Sequence, residues 1–263
     1  MQEDVLVAVK NGVARITLQR SEKGNALSSE IIEKIIKICD ALQWENENDV
    51  QLCAIEGKGD FFCSGIDFEE ISERKTISKE EFFEEALNQA RLLRQIASLP
   101  CPVLAKVKGG ALGLGLGFVA VSDYVVAEED SIFGTPEIKI GLPPVMESLY
   151  LNRKCGFSNS SLFSLSGEMV SVKEAISMGL VNRSFAKESF DKECEKIEGN
   201  FLECGPQALR KMKNLLLKIS PVPNNKIEEF AAMQLSEAFD SKEFKEGIAA
   251  LKQKRIPKWI EGR

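Results

Sequence analysis

Hydrophobic and polar residues along the chain switch repeatedly between a two-residue and a helical period. Alternation in Val5-Leu6-Val7-Ala8-Val9 and Val13-Ala14-Arg15-Ile16-Thr17-Leu18, on either side of Asn11-Gly12, predicts a β-hairpin. Ser28 or Ser29 is placed to cap a helix running through Ile31, Ile32, Ile35 and Ile36. Leu52-Cys53-Ala54-Ile55 reads as a short buried strand ended by Gly57 and Gly59. Apolar positions at 82, 83, 86, 87, 90, 92 and 93 predict an amphipathic helix over residues 79–98, stopped by Pro100 and Pro102. Two further strands follow, at residues 103–107 and 124–127. Beyond residue 168 the period is helical, with helices expected over 172–178, 188–204, 206–217 and, as one long element, 226–254. Strands alternating with helices predict a mixed α/β core with crossover helices over residues 1–195 and a helical region over 196–263. The chain shows no sequence repeat and no low-complexity linker.

The pattern is interrupted by Gly109-Gly110-Ala111-Leu112-Gly113-Leu114-Gly115-Leu116-Gly117. Glycine lets backbone amides approach a ligand closely, and a helix beginning there offers unpaired N–H groups to negative charge. Glu137, in Phe133-Gly134-Thr135-Pro136-Glu137, lies twenty residues beyond Gly117. An anion cradle beside a carboxylate base suits removal of a proton next to a carbonyl. The run is neither a Walker loop, since no Gly-Lys-Ser/Thr follows, nor a dinucleotide fingerprint, since Phe118 stands where a glycine is required. Glycines at 109, 113 and 117 also fit a close helix contact, a reading that stays open at this point. The apolar stretch from Gly110 to Val121 is too short for a membrane span.

Composition narrows the chemistry. The chain has 263 residues, 44% apolar and 28% charged, an ordinary globular balance. A net charge of −6 and a pI near 5.1 provide no basic footprint for nucleic acid. The seven cysteines are scattered without a Cys-x-x-Cys pair, so buried small hydrophobes in a reducing compartment are expected rather than disulfides or a metal site. There is no histidine. Ser-His-Asp and Cys-His machinery within one chain, and histidine-ligated metals, are thereby excluded. The start, MQEDVLVAVK, lacks the pattern of a secretory signal, and a cytoplasmic location is expected. The final Ile260-Glu261-Gly262-Arg263 matches a protease site used in protein expression and is set aside from functional reasoning.

Six segments, in order, resemble the crotonase (enoyl-CoA hydratase/isomerase) superfamily. Arg20-Ser21-Glu22-Lys23-Gly24-Asn25-Ala26-Leu27 resembles R-P-x-x-x-N-A-L, and Phe62-Cys63-Ser64-Gly65-Ile66-Asp67 resembles F-x-[AS]-G-x-D. Residues 110–123 resemble G-x-A-x-G-G-G-x-x-L-A-x-x-C-D, and 133–142 resemble F-x-x-P-E-x-x-x-G. Ala175-Ile176-Ser177-Met178-Gly179-Leu180-Val181 is similar to A-x-x-x-G-L-V, and residues 244–255 to a terminal helix with EG and K-R. The resemblance implies a ββα spiral core with C-terminal helices that build a trimer or a dimer of trimers. It implies an acyl-CoA or acyl-carrier substrate, with the coenzyme A thioester as substrate carrier and no other cofactor. It also implies an oxyanion hole from the backbone N–H groups of Ile66 and Leu114, where Leu114 replaces the family's glycine. A substrate-binding groove is implied at Lys23, Ala26, Ser64, Gly65, Ile66, Asp67, Gly113 and Leu114. Lys254, on the terminal helix, is implied as a contact to the CoA phosphate of a neighbouring subunit.

The same resemblance implies acid–base groups at three positions. Glu137 fills one. Gly117 stands where hydratases carry their first glutamate, and Val145 where other branches carry aspartate. A side chain at 117 is expected to reach the same substrate carbons as Glu137. One carboxylate suits a 1,3-proton shift, as in Δ3,Δ2-enoyl-CoA isomerases, better than hydration. Glu147, two positions beyond Val145, is expected to be a solvated surface residue. Two alternatives stay open: a hydratase or decarboxylase whose missing group is supplied elsewhere, for instance by Glu147, and a non-catalytic acyl-CoA- or protein-binding relative.

Overall fold

The computed structural model describes residues 3–44, 50–73 and 77–260. Residues 261–263, in the segment expected to be a cleavage site, lie outside them. The hairpin forms as expected from β1 (Val5–Lys10) and β2 (Val13–Leu18), with Asn11 and Gly12 both at positive φ. From β2 onward the main sheet is parallel, through β3 (Leu52–Gly57), β4 (Val103–Val107), β6 (Tyr124–Glu128) and β9 (Arg183–Phe185). The strand order is β1-β2-β3-β4-β6-β9. A small second sheet joins β5 (Gly110–Leu112), β7 (Ile132–Gly134) and β8 (Val170–Ser171) in the order β5-β7-β8.

Parallel strands need crossovers; the crossover helices bury one face of the main sheet, and a helix that follows β9 covers the other. On one face lie α1 (Ser29–Trp44), α3 (Lys79–Ala97) and α4 (Leu114–Val121); the short α2 (Phe68–Glu73) precedes α3. The main core forms here, with Ile31, Ile35, Phe82, Leu93, Leu116 and Phe118 packed on Ile16, Ile55 and Ala105. The other face is covered by α7 (Lys187–Leu202), whose Phe190, Cys194 and Ile197 pack on Leu52, Ala54, Leu104 and Val126. The strands alternate between these cores, which is why β4 is buried along its whole length. Ser78 begins α3 with a capping box shared with Glu81. Six of the seven cysteines are buried, and Cys204 is exposed.

After β7 come a 3₁₀ turn at Pro136–Ile140, α5 (Val145–Ser161), α6 (Val172–Ser177), α8 (Pro206–Ile219), α9 (Asn225–Phe239) and α10 (Lys242–Lys252). The expected single helix over 226–254 is two helices. Asp240 ends α9, and the Ser241 hydroxyl accepts a hydrogen bond from the Phe244 amide to start α10. The break turns α10 back onto the Pro136–Ile140 turn. Phe239 meanwhile stacks on Phe82 of α3, with ring centroids 3.7 Å apart. Among the described residues no helix is long and apolar enough to cross a membrane.

Gly247 makes this last contact possible. A Cβ there would stand 2.1 Å from the Ile140 carbonyl oxygen, which is backbone and cannot turn aside. Gly247→Ala is therefore expected to destabilise the chain by about 1–3 kcal/mol. That is a melting-temperature loss of about 2–4 °C per kcal/mol for a chain of this size. The turn that carries Glu137 shifts with it. An alanine variant with native melting temperature would show that α10 does not bear on the turn.

Candidate active site

Three chain segments meet at the C-terminal edge of β5. Parallel pairing of β5 with β7 sets Leu112 opposite Gly134, and the Gly113 amide donates to the Gly134 carbonyl oxygen at 3.0 Å. The start of α4 and the Pro136–Ile140 turn are thereby delivered side by side. The third segment, residues 63–66, pairs with Ala111 through Cys63. Its Gly65 has φ +96°, and a Cβ there would press within 3.0 Å of the Leu112 carbonyl oxygen and 3.4 Å of the Leu114 nitrogen. Gly113, with φ +49° and ψ −126°, is the other indispensable glycine. A Cβ there would meet the Glu137 carboxyl oxygens at 3.1 and 3.3 Å, so the carboxyl group lies directly on the Gly113 backbone.

Leu114 is the first residue of α4 and has no positive φ, so replacement of glycine at this position strains nothing. Ile66 lies in an isolated bridge with Leu27 and Leu114 opens α4, and among the described residues the N–H of neither donates to a backbone carbonyl in a turn, loop or cap. Both residues line a cleft of about 40 Å³, together with Glu137, Glu147, Gln89, Phe68, Val145, Met146 and Leu235. A thioester oxygen entering this cleft would meet a helix N-terminus and a neighbouring amide.

The expectation for Glu147 is overturned. Instead of a solvated surface position it occupies the first turn of α5, 5% exposed, and its carboxyl group hydrogen-bonds that of Glu137, itself 8% exposed. The sequence separation of ten residues concealed this, because Gly141 at φ +80° and two prolines fold the intervening loop back. Burial pushes the Glu137 carboxyl well above its ordinary value, and the Glu147 charge adds to the rise. Burial likewise raises Glu147. Among the described residues lining the cleft none is lysine or arginine, so no cation offsets two negative charges. The pair holds a proton where isolated carboxyls would have lost both.

Position 117 also departs from expectation. A Cβ on Gly117 would point at Leu93 of α3, 3.0 Å from both its methyl carbons, and Gly117 does not line the cleft. A glutamate side chain there would start inside the α3–α4 packing rather than beside Glu137. Gly117 thus has a packing reason of the kind the small-residue spacing suggested. Gly115 has another, since its Cβ would lie 2.8 Å from that of Cys63.

The remaining residues of the expected groove divide into two groups. Ser64 and Gly65 line the cleft, and the Ser64 hydroxyl donates to the Lys23 carbonyl oxygen at 3.3 Å. Lys23 is exposed and ion-paired with Glu69 at 3.1 Å and Asp67 at 3.6 Å. Ala26 is buried, and its carbonyl oxygen accepts from Arg20 at 2.9 Å. Asp67 faces an adjoining cavity, not the cleft. It accepts from the Glu69 and Glu70 amides, both at 3.1 Å, and pairs with Arg20 at 2.8 Å, which fixes the loop that carries Ile66. Burial raises its pKa, but the Glu70 amide and Arg20 outweigh that and hold it below the usual range. Lys254 is exposed and lies beyond the end of α10, at φ +52°, rather than on the helix.

Sequence reasoning missed Gln89 and Leu235. Gln89 is buried on the same face of α3 as Phe82, Ala86 and Leu93, and it lines the cleft. Its signal was a lone amide on an otherwise apolar stripe. Leu235 brings α9 to the cleft wall, a long-range contact with no local signal.

The chain is similar to known proteins along nearly its whole length. The enoyl-CoA hydratase/isomerase family profile matches residues 8–262. A probable enoyl-CoA hydratase of Bacillus subtilis is 32% identical over 258 residues, covering 97% of this chain and 98% of that protein. A trans-2-decenoyl-[acyl-carrier-protein] isomerase of Streptococcus mutans is 25% identical, covering 98% of each. The crystal structure of a putative enoyl-CoA hydratase from Mycobacterium avium paratuberculosis superposes with a TM-score of 0.86 at 26% identity, covering 98% of this chain and 99% of that one.

The shared proton has a consequence for stability. An unfolded carboxyl releases its proton near 4.5, whereas the folded pair retains it to higher pH, so unfolding above that value releases protons. The stability contribution of the pair is fully present below pH 4.5 and is lost as pH rises through the raised folded values. The double variant Glu137→Gln with Glu147→Gln removes the pair. The melting temperature of the variant minus that of the native protein is expected to climb steadily from pH 4.5 to 7. A difference independent of pH would mean the two carboxyls titrate normally.

Proposed function

The chain belongs to the enoyl-CoA hydratase/isomerase family, and from that premise we propose that it is an acyl-thioester isomerase that moves a 3-enoyl double bond to the 2-position through an enolate. The observation that carries this reading is Glu137 on the Gly113 backbone, at the mouth of the unpaired α4 N-terminus. Ile66 and Leu114 supply the two N–H groups of the oxyanion hole. A preorganised pair aimed at the developing enolate oxygen contributes roughly 3–4 kcal/mol of stabilisation per essential donor. Glu137 is the base at C2. Lys23, Ala26, Ser64 and Gly65 border the CoA groove, and Lys254 is the candidate phosphate contact from another subunit. The thioester is the only group beyond the protein that this chemistry requires. The carrier is coenzyme A or an acyl carrier protein, the second suggested by the name of the streptococcal relative.

The lack of a side chain facing the cleft at position 117 argues against the two-glutamate arrangement of hydratases. Hydration through Glu137 and Glu147 is the second reading, favoured by the position of Glu147 in the cleft. The direct hydrogen bond between the two carboxyls weighs against it, because a water to be activated would have to separate them. Turnover of 3-enoyl- against 2-enoyl-CoA separates the two readings. Isomerisation is expected to exceed hydration of crotonyl-CoA, and Glu137→Gln is expected to lower it by about 10²–10⁴ with thioester binding within a few-fold. Efficient hydration without isomerisation would replace this reading with the second, and binding without any turnover would leave a non-catalytic relative.

Assembly as a trimer or a dimer of trimers is part of the proposal. Of the apolar residues on the last two long helices, Leu235 and Phe244 are buried within the chain, but Ile227, Phe230 and Met233 stay exposed. Met212, Leu215, Leu216 and Ile219 of α8 add to that apolar surface. Sedimentation at micromolar concentration is expected to give three or six copies; a monomer would remove this element.

A further inference from the structure

Glu147 has no assigned part in a single-base isomerisation, yet it is buried in the cleft against the base. Two carboxyl groups that share a hydrogen bond, without a cation among the described cleft-lining residues, form one unit containing an acid and a base. Such a unit is costly to bury, and a glutamine at either position would keep a hydrogen bond at less electrostatic cost. The two groups also enter from different elements. Glu137 rests on Gly113, next to the Leu114 amide that begins α4. Glu147 comes from the first turn of α5, among Val145, Met146 and Leu142, which form the apolar wall.

We propose that Glu147 is a second catalytic residue, the acid that protonates C4 while Glu137 accepts the proton from C2, so that the double bond migrates by a two-carboxyl relay. This inference rests on the isomerase reading. In the first step the C2–H bond breaks, its proton passes to the Glu137 carboxylate, and its electron pair forms the enolate on the thioester oxygen. In the second step the thioester carbonyl re-forms and the C2–C3 double bond appears. The C3–C4 π electrons take the proton of the Glu147 carboxyl, which becomes a carboxylate. The proton now on Glu137 crosses the hydrogen bond to Glu147 and restores the starting state. The pair carries one negative charge and one proton before and after each turnover, so no step places two charges in the cleft.

The origin of the C4 proton tests the relay. The native protein is placed in excess over a 3-enoyl-CoA dideuterated at C2, so that each substrate molecule turns over once, and the product is analysed for deuterium at C4. The relay predicts protium at C4 with the native protein. It predicts deuterium at C4, with turnover slowed at least tenfold, in Glu147→Gln, where Glu137 alone must return the proton it took. Deuterium carried to C4 by the native protein overturns the relay, as does equal label transfer in native and variant. A folded Glu147→Gln without measurable turnover is compared with Glu147→Asp: recovered activity with protium at C4 supports the relay, and no recovery overturns it. Absence of isomerisation of any 3-enoyl-CoA by the native protein defeats the isomerase reading and the relay with it, whereas isomerisation with retained label defeats the relay alone.

Discussion

Two carboxyl groups facing each other in an apolar cleft are the constraint around which the site is arranged. Repulsion between like charges that close together, away from water, is too large for both to be ionised. The protein offers no cation among the described residues lining the cleft. The relief is a retained proton. A retained proton is also what an acid–base catalyst acting on a neutral thioester needs, so the electrostatic cost of the site and its chemical capacity have the same origin.

Keeping the two groups in place falls to parts of the chain far apart in sequence. The β5–β7 register sets the α4 N-terminus beside the Pro136–Ile140 turn, and Gly65 and Gly113 let three backbone segments close to contact distance. Arg20 and Asp67 secure the Ile66 loop from behind. The C-terminal helices complete the enclosure: α10 presses on the turn through Gly247, and α9 supplies Leu235 to the wall. The helical region is thus a structural part of the cleft, although the sequence pattern alone distinguishes it from the α/β core.

What was legible in the sequence is what local physics determines. The Asn11-Gly12 hairpin, the 79–98 helix, the buried strands and the glycine run opening α4 all carry short-range signals, and all formed where the pattern placed them. The motif around Glu137 gave the residue its place in the cleft. The long-range features were not legible. Glu147 looks like a surface glutamate in sequence, because only the loop through Gly141, Pro143 and Pro144 turns it inward. A glycine at 117 looks like an empty catalytic position, whereas its missing side chain makes room for Leu93. The break at Ser241 was hidden because apolar residues continue at helical spacing across it, and the cap that interrupts them is a single hydroxyl.

The central claim is that Glu137 and Glu147 hold one proton between them at the pH where the protein works. Infrared difference spectroscopy of the native protein against the double variant Glu137→Gln with Glu147→Gln, at neutral pH without substrate, reads that proton directly. One protonated-carboxyl band is expected in the native protein and is lost in the variant. A difference spectrum containing only carboxylate bands would show both groups ionised, and would contradict it.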